Sequence, residues 1–213
     1  MTFPLDPALS DAISRDLGVA VRLSMATAPV PMAALSMAEM ARLAELPGRA
    51  RQDEWRRGRA ALKDALRSIG QPEDTARLAL PHRLVSLTHS GQVAVAVAAT
   101  DGGTLGVGID LEMDRAPRLE TARFFLTAEE QAWLQAQPEI ERRAHIVRLW
   151  TVKEALFKAD MRNTDAALHE YRVDDPAVMA GGATRAVSRA SFTYATRRFE
   201  TGTLTVAALV HQS

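Results

Sequence analysis

Three carboxylates and two lysines stand in two apolar stretches of this chain. Gly106-Val-Gly-Ile-Asp-Leu-Glu112 supplies Asp110 and Glu112, and Trp150-Thr-Val-Lys-Glu-Ala-Leu-Phe-Lys158 supplies Lys153, Glu154 and Lys158. On a strand, residues two apart point to the same face. Asp110 and Glu112 therefore share a face, and Leu111 points away into a core. On a helix, Glu154 and Lys158 are four apart, in the orientation that pairs well. In open water that pair contributes only a few tenths of a kcal/mol. Here Leu149, Trp150, Val152, Ala155, Leu156 and Phe157 wrap apolar surface around most of the helix, so the charges face a restricted, partly dry site. Carboxylates in such a place are costly unless a cation meets them. Hard oxygen ligands without cysteine favour Mg²⁺, which fills its shell from water and substrate phosphates. His89-Ser90-Gly91, at a predicted hairpin turn, offers a ring nitrogen, a hydroxyl and exposed N–H groups as a phosphate nest.

Composition narrows the partners. Lys+Arg and Asp+Glu number 26 each in 213 residues, so the formal net charge is zero, without the basic excess of a nucleic-acid binder. The chain is 47% hydrophobic, enough for a sizeable core. It has no cysteine, which excludes disulfides and thiolate zinc sites. Met1-Thr-Phe-Pro-Leu-Asp6 lacks the basic and apolar regions of a secretory signal, and no apolar run reaches the ~18 residues of a membrane span. The expectation is a cytoplasmic protein with no membrane partner.

The elements that would position these groups can be read in order. Residues 1–17 read as a loose start with one helical turn after Ser10, and residues 19–25 as a strand. Ser36-Met-Ala-Glu39 is a capping box that opens a helix to about Leu46. A longer helix is predicted over 52–69, stopped by Gly70; its Arg56, Arg59 and Lys63 can share a face. Residues 84–88 and 93–99 read as a buried hairpin turning at Ser90-Gly91. Asp101-Gly-Gly103 is a turn, and residues 104–112 form a third strand whose small residues permit close backbone approach. A second capping box, Thr127-Ala-Glu-Glu130, opens a short helix to about Gln135. A long helix follows over 139–160, then strands at 171–173, 191–196 and 203–210. Each half thus reads strand, capped short helix, longer helix, strands. The pattern predicts an internal repeat with a cleft between an N-terminal half, 1–100, and a C-terminal half, 101–213.

Four stretches together resemble the 4′-phosphopantetheinyl transferases, in their larger, Sfp- and EntD-like class. Gly108-Ile-Asp-Leu-Glu112 is similar to that family's metal-binding strand. Phe124-Phe-Leu-Thr-Ala-Glu-Glu130 is similar to its linking segment, and residues 150–158 to its W-x-x-K-E-A-x-x-K helix. Ser86-Leu-Thr-His-Ser90 resembles its S-L-S-H-S stretch, with Thr88 for the usual serine. Leu35-Ser-Met-Ala-Glu39 and Gly58-Arg-Ala-Ala-Leu-Lys63 match a weaker N-terminal pattern. Two positions depart from it. Glu54 stands where an arginine is usual, with Arg51 the nearest substitute, and Gly70-Gln-Pro72 stands for Gly-Lys-Pro.

The resemblance implies an α+β fold of two similar α/β halves related by a pseudo-twofold, with the active site at their junction. It implies transfer of the 4′-phosphopantetheine arm of coenzyme A to a serine of an acyl or peptidyl carrier protein, releasing 3′,5′-ADP. The carrier's pathway could be fatty-acid, polyketide, siderophore or nonribosomal peptide synthesis. Asp110, Glu112 and Glu154 are then expected to hold Mg²⁺, with Mn²⁺ as a substitute. Glu154 is the expected base and Lys158 the group that stabilises the leaving phosphate. His89, Ser90, Lys153, Lys158, Arg59 and Arg51 are expected around coenzyme A; Arg59 and Lys63 could bind a phosphate, though solvated helix charges are as good a reading of both. Phe124, Phe125, Trp150 and Trp55 read first as packing residues, with the segment beside the phenylalanines receiving the carrier. One chain builds the cleft, so a monomer is expected. Two other readings use the same residues: a Mg²⁺-dependent phosphohydrolase, and an inactive homologue that only binds coenzyme A or the carrier protein.

Overall fold

A computed structural model describes residues 7–100, 103–113 and 117–211. The fold is mixed α+β. Among the described residues a three-stranded antiparallel sheet has the order β1-β3-β2 (Val21–Ala26, Val93–Ala99, Val85–Ser90). A five-stranded antiparallel sheet has the order β4-β8-β7-β6-β5 (Gly106–Met113, Gly202–His211, Ser191–Phe199, Ala180–Arg185, Tyr171–Val173). The helices are α1 (Pro7–Leu17), α2 (Met37–Ala44), α3 (Gly48–Ser68), α4 (Ala128–Ala136) and α5 (Glu139–Ala159). No helix among the described residues is long and apolar enough to cross a membrane.

The alternation of the strands decides the layering. Val93, Val95, Val97 and Ala99 of β3 share one core with Val107, Ile109 and Leu111 of β4, Leu204, Val206 and Ala208 of β8, and Ile13 and Leu17 of α1. The intervening Ala94, Ala96 and Ala98 of β3 turn the other way, onto Ala61, Leu62 and Ala65 of α3. On the far side, Ala207 and Leu209 of β8 meet Val152, Ala155, Leu156 and Ala159 of α5. The order of layers is α3, three-stranded sheet, five-stranded sheet, α5. Strands β3 and β8 each lie inside their sheet and are buried on both faces, which is why they read as near-continuous apolar runs.

Several expected elements fall in place and some differ. Both capping boxes are formed, Ser36 with Glu39 and Thr127 with Glu130. The N-terminal stretch is not loose from Pro7 onward: α1 runs a full three turns and buries Ile13 and Leu17. The reading of residues 1–6 and the Asp101-Gly102 part of the predicted turn lie outside the described residues. The β2–β3 hairpin turns one residue later than expected: Ser90 pairs with Val93, leaving Gly91 (φ +57°) and Gln92 as the turn. Strand β6, Ala-Gly-Gly-Ala-Thr-Arg, carries no apolar alternation and was not expected. A Cβ at its Gly182 would lie 2.3 Å from Asp174 Oδ2, so a side chain there would make the Asp174 carboxylate turn aside.

Candidate functional site

Gly106, Gly108, Asp110 and Glu112 alternate along the face of β4 that meets α5. A Cβ on Gly106 would lie 2.0 Å from the Ala159 carbonyl oxygen, and one on Gly108 1.9 Å from that of Ala155. The two glycines therefore let the helix backbone rest directly on the strand. Helix and strand run in opposite directions, so each step of two along β4 meets roughly one earlier turn of α5. Two residues of strand rise about 6.6 Å and one helical turn about 5.4 Å, which matches the step from Gly106 under Ala159 to Gly108 under Ala155. Beyond the glycines, Asp110 meets the ammonium of Lys158, a long side chain from the turn of α5 that already lies over Gly106 and Gly108, and Glu112 meets the indole of Trp150.

The contacts are specific. Lys158 Nζ lies 2.6 Å from Asp110 Oδ1 and 3.9 Å from Glu154 Oε2. Asp110 is 5% exposed, and Thr88 donates to its Oδ1 at 3.1 Å. Both donors converge on Oδ1, and Oδ2 is buried with no partner among the described residues. Trp150 Nε1 donates to Glu112 Oε1 at 3.1 Å, and its ring meets Phe125 edge-on at 5.0 Å. Trp150 is thus more than packing: it orients a site carboxylate. Burial pushes the Glu112 carboxyl above the usual range, and the negative charges of Asp110 and Glu154 add to this against Trp150 and Lys158. Glu154 is likewise raised, by burial and by Asp110, against the opposing pull of Lys158.

Two expected ligands are placed elsewhere. Lys153 does not face the carboxylates. It is fully buried, with its ammonium 2.7 Å from Glu130 Oε1 and bonded also to the Tyr171 carbonyl. The 100° step around the helix carries it to the α4 side. Lys63 is also internal, 2.8 Å from Glu39 and 3.0 Å from the Glu73 carbonyl, so it is no phosphate ligand here.

His89 and Ser90 sit on the end of β2 rather than in a turn. The Ser90 Oγ accepts the Met113 N–H at 3.1 Å. The His89 ring packs on Gly58 of α3, where a Cβ would lie 2.6 Å from Nε2; that nitrogen is buried without a partner among the described residues. Burial lowers its pKa, opposed by Glu54 and reinforced by Arg51, Arg57 and Arg59. Arg51 is the most open of these and pairs with Glu54 at 2.8 Å. The Arg59 guanidinium stacks 4.8 Å over Trp55 and leaves Nε buried and unpartnered. These groups form a second, basic cluster on the α3 side. Phe125 is buried as expected, whereas Phe124 is 63% exposed with Arg123 stacked on it.

Do the acids fit a divalent cation? Among the described residues no three His, Cys, Asp or Glu side chains stand as a ready-made metal cage. Lys158 lies between Asp110 and Glu154, and Trp150 draws Glu112 aside. The donor chemistry nevertheless fits: all-oxygen carboxylates, one buried oxygen without a partner, and two neighbours whose charges are mutually destabilising.

Hard oxygen donors beside an ammonium suit a cation that itself carries phosphate. The comparisons bear on that class. Residues 106–204 match the family model described as the 4′-phosphopantetheinyl transferase superfamily. The match begins on β4 and ends inside β8, so it contains Asp110, Glu112, Glu154 and Lys158 but not His89, Ser90, Arg51 or Arg59. No curated protein matches the chain.

Proposed function

We propose that this protein transfers the 4′-phosphopantetheine arm of coenzyme A to a serine hydroxyl of an acyl or peptidyl carrier protein, releasing 3′,5′-ADP. The observation that carries the reading is Asp110 Oδ2, buried beside Lys158 and unpartnered among the described residues, inside the stretch matched by the superfamily. The larger, Sfp- and EntD-like class is favoured because the described residues 7–100 fold with the matched part rather than apart from it, sharing a core across both sheets.

In this reading Asp110, Glu112 and Glu154 hold Mg²⁺, or Mn²⁺ in its place. When bound, the ion would neutralise the pyrophosphate and polarise the phosphorus under attack. The serine oxygen forms the new P–O bond, and the P–O bond to 3′,5′-ADP breaks. Glu154, a half-buried carboxylate with a raised pKa, accepts the serine proton. Lys158 offers its ammonium to the charge gathering on the departing phosphate. His89, Ser90, Arg59 and Arg51 line the coenzyme A side. Lys153 takes no part beyond holding α5.

The halves 1–100 and 101–213 are proposed to be related by a pseudo-twofold. A doubled hydrogen-bonded device supports this. Glu39 and Glu130 are the N3 residues of the two capping boxes. Each accepts from a lysine of the next long helix, Lys63 or Lys153. Each also accepts from an N–H two residues beyond the carbonyl that the lysine reaches, Thr75 after Glu73 and Val173 after Tyr171.

The deciding test is intact-protein mass spectrometry of apo carrier proteins incubated with the protein, coenzyme A and Mg²⁺. The expected result is a mass gain of one phosphopantetheine arm, abolished by EDTA and by Asp110→Ala. Phosphate release without any carrier would instead favour the phosphohydrolase. Coenzyme A binding with no transfer to fatty-acid, polyketide or peptidyl carriers would favour the inactive homologue.

A further inference from the structure

Strands β2 and β4 are edges of different sheets, and they run side by side without a backbone ladder. Side-chain hydroxyls join them instead. The N–H groups of Ile109, Leu111 and Met113 donate to the hydroxyls of Ser86, Thr88 and Ser90, at 3.3, 3.3 and 3.1 Å. Both triplets step by two, so the three hydroxyls are one face of β2 and the three N–H groups one edge of β4. The opposite face of β2, Val85 and Leu87, packs toward α3.

A hydroxyl has one proton to give and lone pairs to accept with. Thr88 alone uses both next to the carboxylate site. Its oxygen accepts from Leu111, which fixes where its proton can go, and that proton goes to Asp110 Oδ1 at 3.1 Å. Lys158 meets the same oxygen at 2.6 Å. Thr88 is 4% exposed, so water offers little substitute. The carboxylate is pinned by one oxygen and leaves the other, Oδ2, bare in the interior.

We infer that Thr88 is a positioning residue, whose hydroxyl clamps Asp110 so that Oδ2 is the oxygen presented to a divalent cation. The inference rests on the reading of Asp110 as a metal-holding group. Groups that orient a ligating carboxylate commonly change metal affinity about 10- to 100-fold when removed. Valine has nearly the shape of threonine but can neither accept from Leu111 nor donate to Asp110. Serine can do both.

The probe is Mn²⁺, titrated calorimetrically into the full-length protein with no substrate present. Thr88→Val should weaken Mn²⁺ binding at least about 10-fold, and Thr88→Ser should restore it to within about threefold of the parent. Ser86→Ala removes another rung of the same hydroxyl ladder without touching Asp110. It serves as the control for a merely structural loss and should keep parental affinity. If Thr88→Val binds as tightly as the parent while Asp110→Ala does not bind, the positioning role is wrong and the metal reading stands. If Ser86→Ala loses as much as Thr88→Val, the ladder matters only for the fold, and the positioning role is again wrong. If parent and Asp110→Ala bind Mn²⁺ equally, the metal reading falls and takes this inference with it.

Discussion

Glu39 and Glu130 occupy the same place in two capping boxes, and each is buried against a lysine from the long helix that follows. The surroundings then diverge. Besides its lysine, Glu39 accepts from the Ser36 N–H, the Thr75 N–H and the Thr75 hydroxyl. Among the described residues Glu130 has only the Thr127 and Val173 N–H groups besides its lysine. The residue after each lysine diverges further. Asp64, after Lys63, turns outward to Arg67 at 2.6 Å and is half exposed. Glu154, after Lys153, turns inward beside Lys158 and Asp110. The strand packed on each helix completes the contrast: β1 reads Val-Arg-Leu-Ser-Met-Ala, with no acid, whereas β4 carries Asp110 and Glu112. The two capping-box devices share an arrangement, and the proposed site lies beside only one of them. The buried lysine fixes each helix against its capped neighbour, and the residues beside it are free to differ.

The sharpest way to break this comparison is to neutralise the two acids that follow the lysines. Glu154→Gln should lower transfer to a carrier protein by about 10²- to 10⁴-fold, the usual contribution of a positioned base. Asp64→Asn should leave transfer unchanged, because its partner is a solvated arginine. Steady-state rates with one carrier protein decide it. Equal losses would mean that the asymmetry of the halves is not where the chemistry lies.

Next in size is the effect on stability of the lysines themselves. Lys153→Ala leaves Glu130 buried with two N–H donors and no counter-charge, a loss of about 3–5 kcal/mol. Lys63→Ala leaves Glu39 with three donors and should cost less, about 1.5–3 kcal/mol. Urea unfolding at neutral pH measures both. If Lys63→Ala proved the more costly, counting donors would be the wrong account of how the two devices differ.

Much of this frame can be read from the sequence. The capping boxes are written in Ser36 and Glu39 and in Thr127 and Glu130, and both form. Asp110 and Glu112 two apart, with glycines before them, specify a strand on which a helix lies close. The lysines were misread because a charged residue on a helix is ordinarily solvated or faces a ligand. The signal that places them inside is the spacing from each capping-box glutamate, 24 residues to Lys63 and 23 to Lys153. An acid and a base at nearly the same separation after each capping box is the trace these two pairs leave in the sequence. The role of Thr88 was hidden for another reason. Ser86, Thr88 and Ser90 alternate, which says they share a face, but which strand that face meets depends on how two sheets come together. Nothing local to residues 86–90 encodes the approach of β4. Strand β6 was invisible because Gly181 and Gly182 fit beneath Asp174 and Tyr194 rather than filling a core themselves.

The smallest effect expected is on the acid side of the stability curve, and it isolates the N-terminal device. Burial alone would raise the pKa of Glu39, but Lys63, Thr75 and the Ser36 N–H outweigh it and bring it from 4.5 down to about 2. A carboxylate with a depressed folded-state pKa adds stability at pH above its unfolded value. That stability fades as pH falls from about 4.5 toward about 2, since the unfolded chain takes up the proton first. Glu39→Gln removes this dependence while keeping the shape of the side chain. The variant should be less stable than the parent at pH 7. The gap between them should hold down to about pH 5 and then narrow steadily toward pH 3, as the parent loses what the variant never had. Many other carboxylates titrate in this window, so the difference between the two unfolding curves carries the information and neither curve alone does. A gap that stays constant from pH 7 to pH 3 would mean that Glu39 is held by shape rather than by charge. Lys63 would then be an accessory to the capping box, not the partner that makes its burial tolerable.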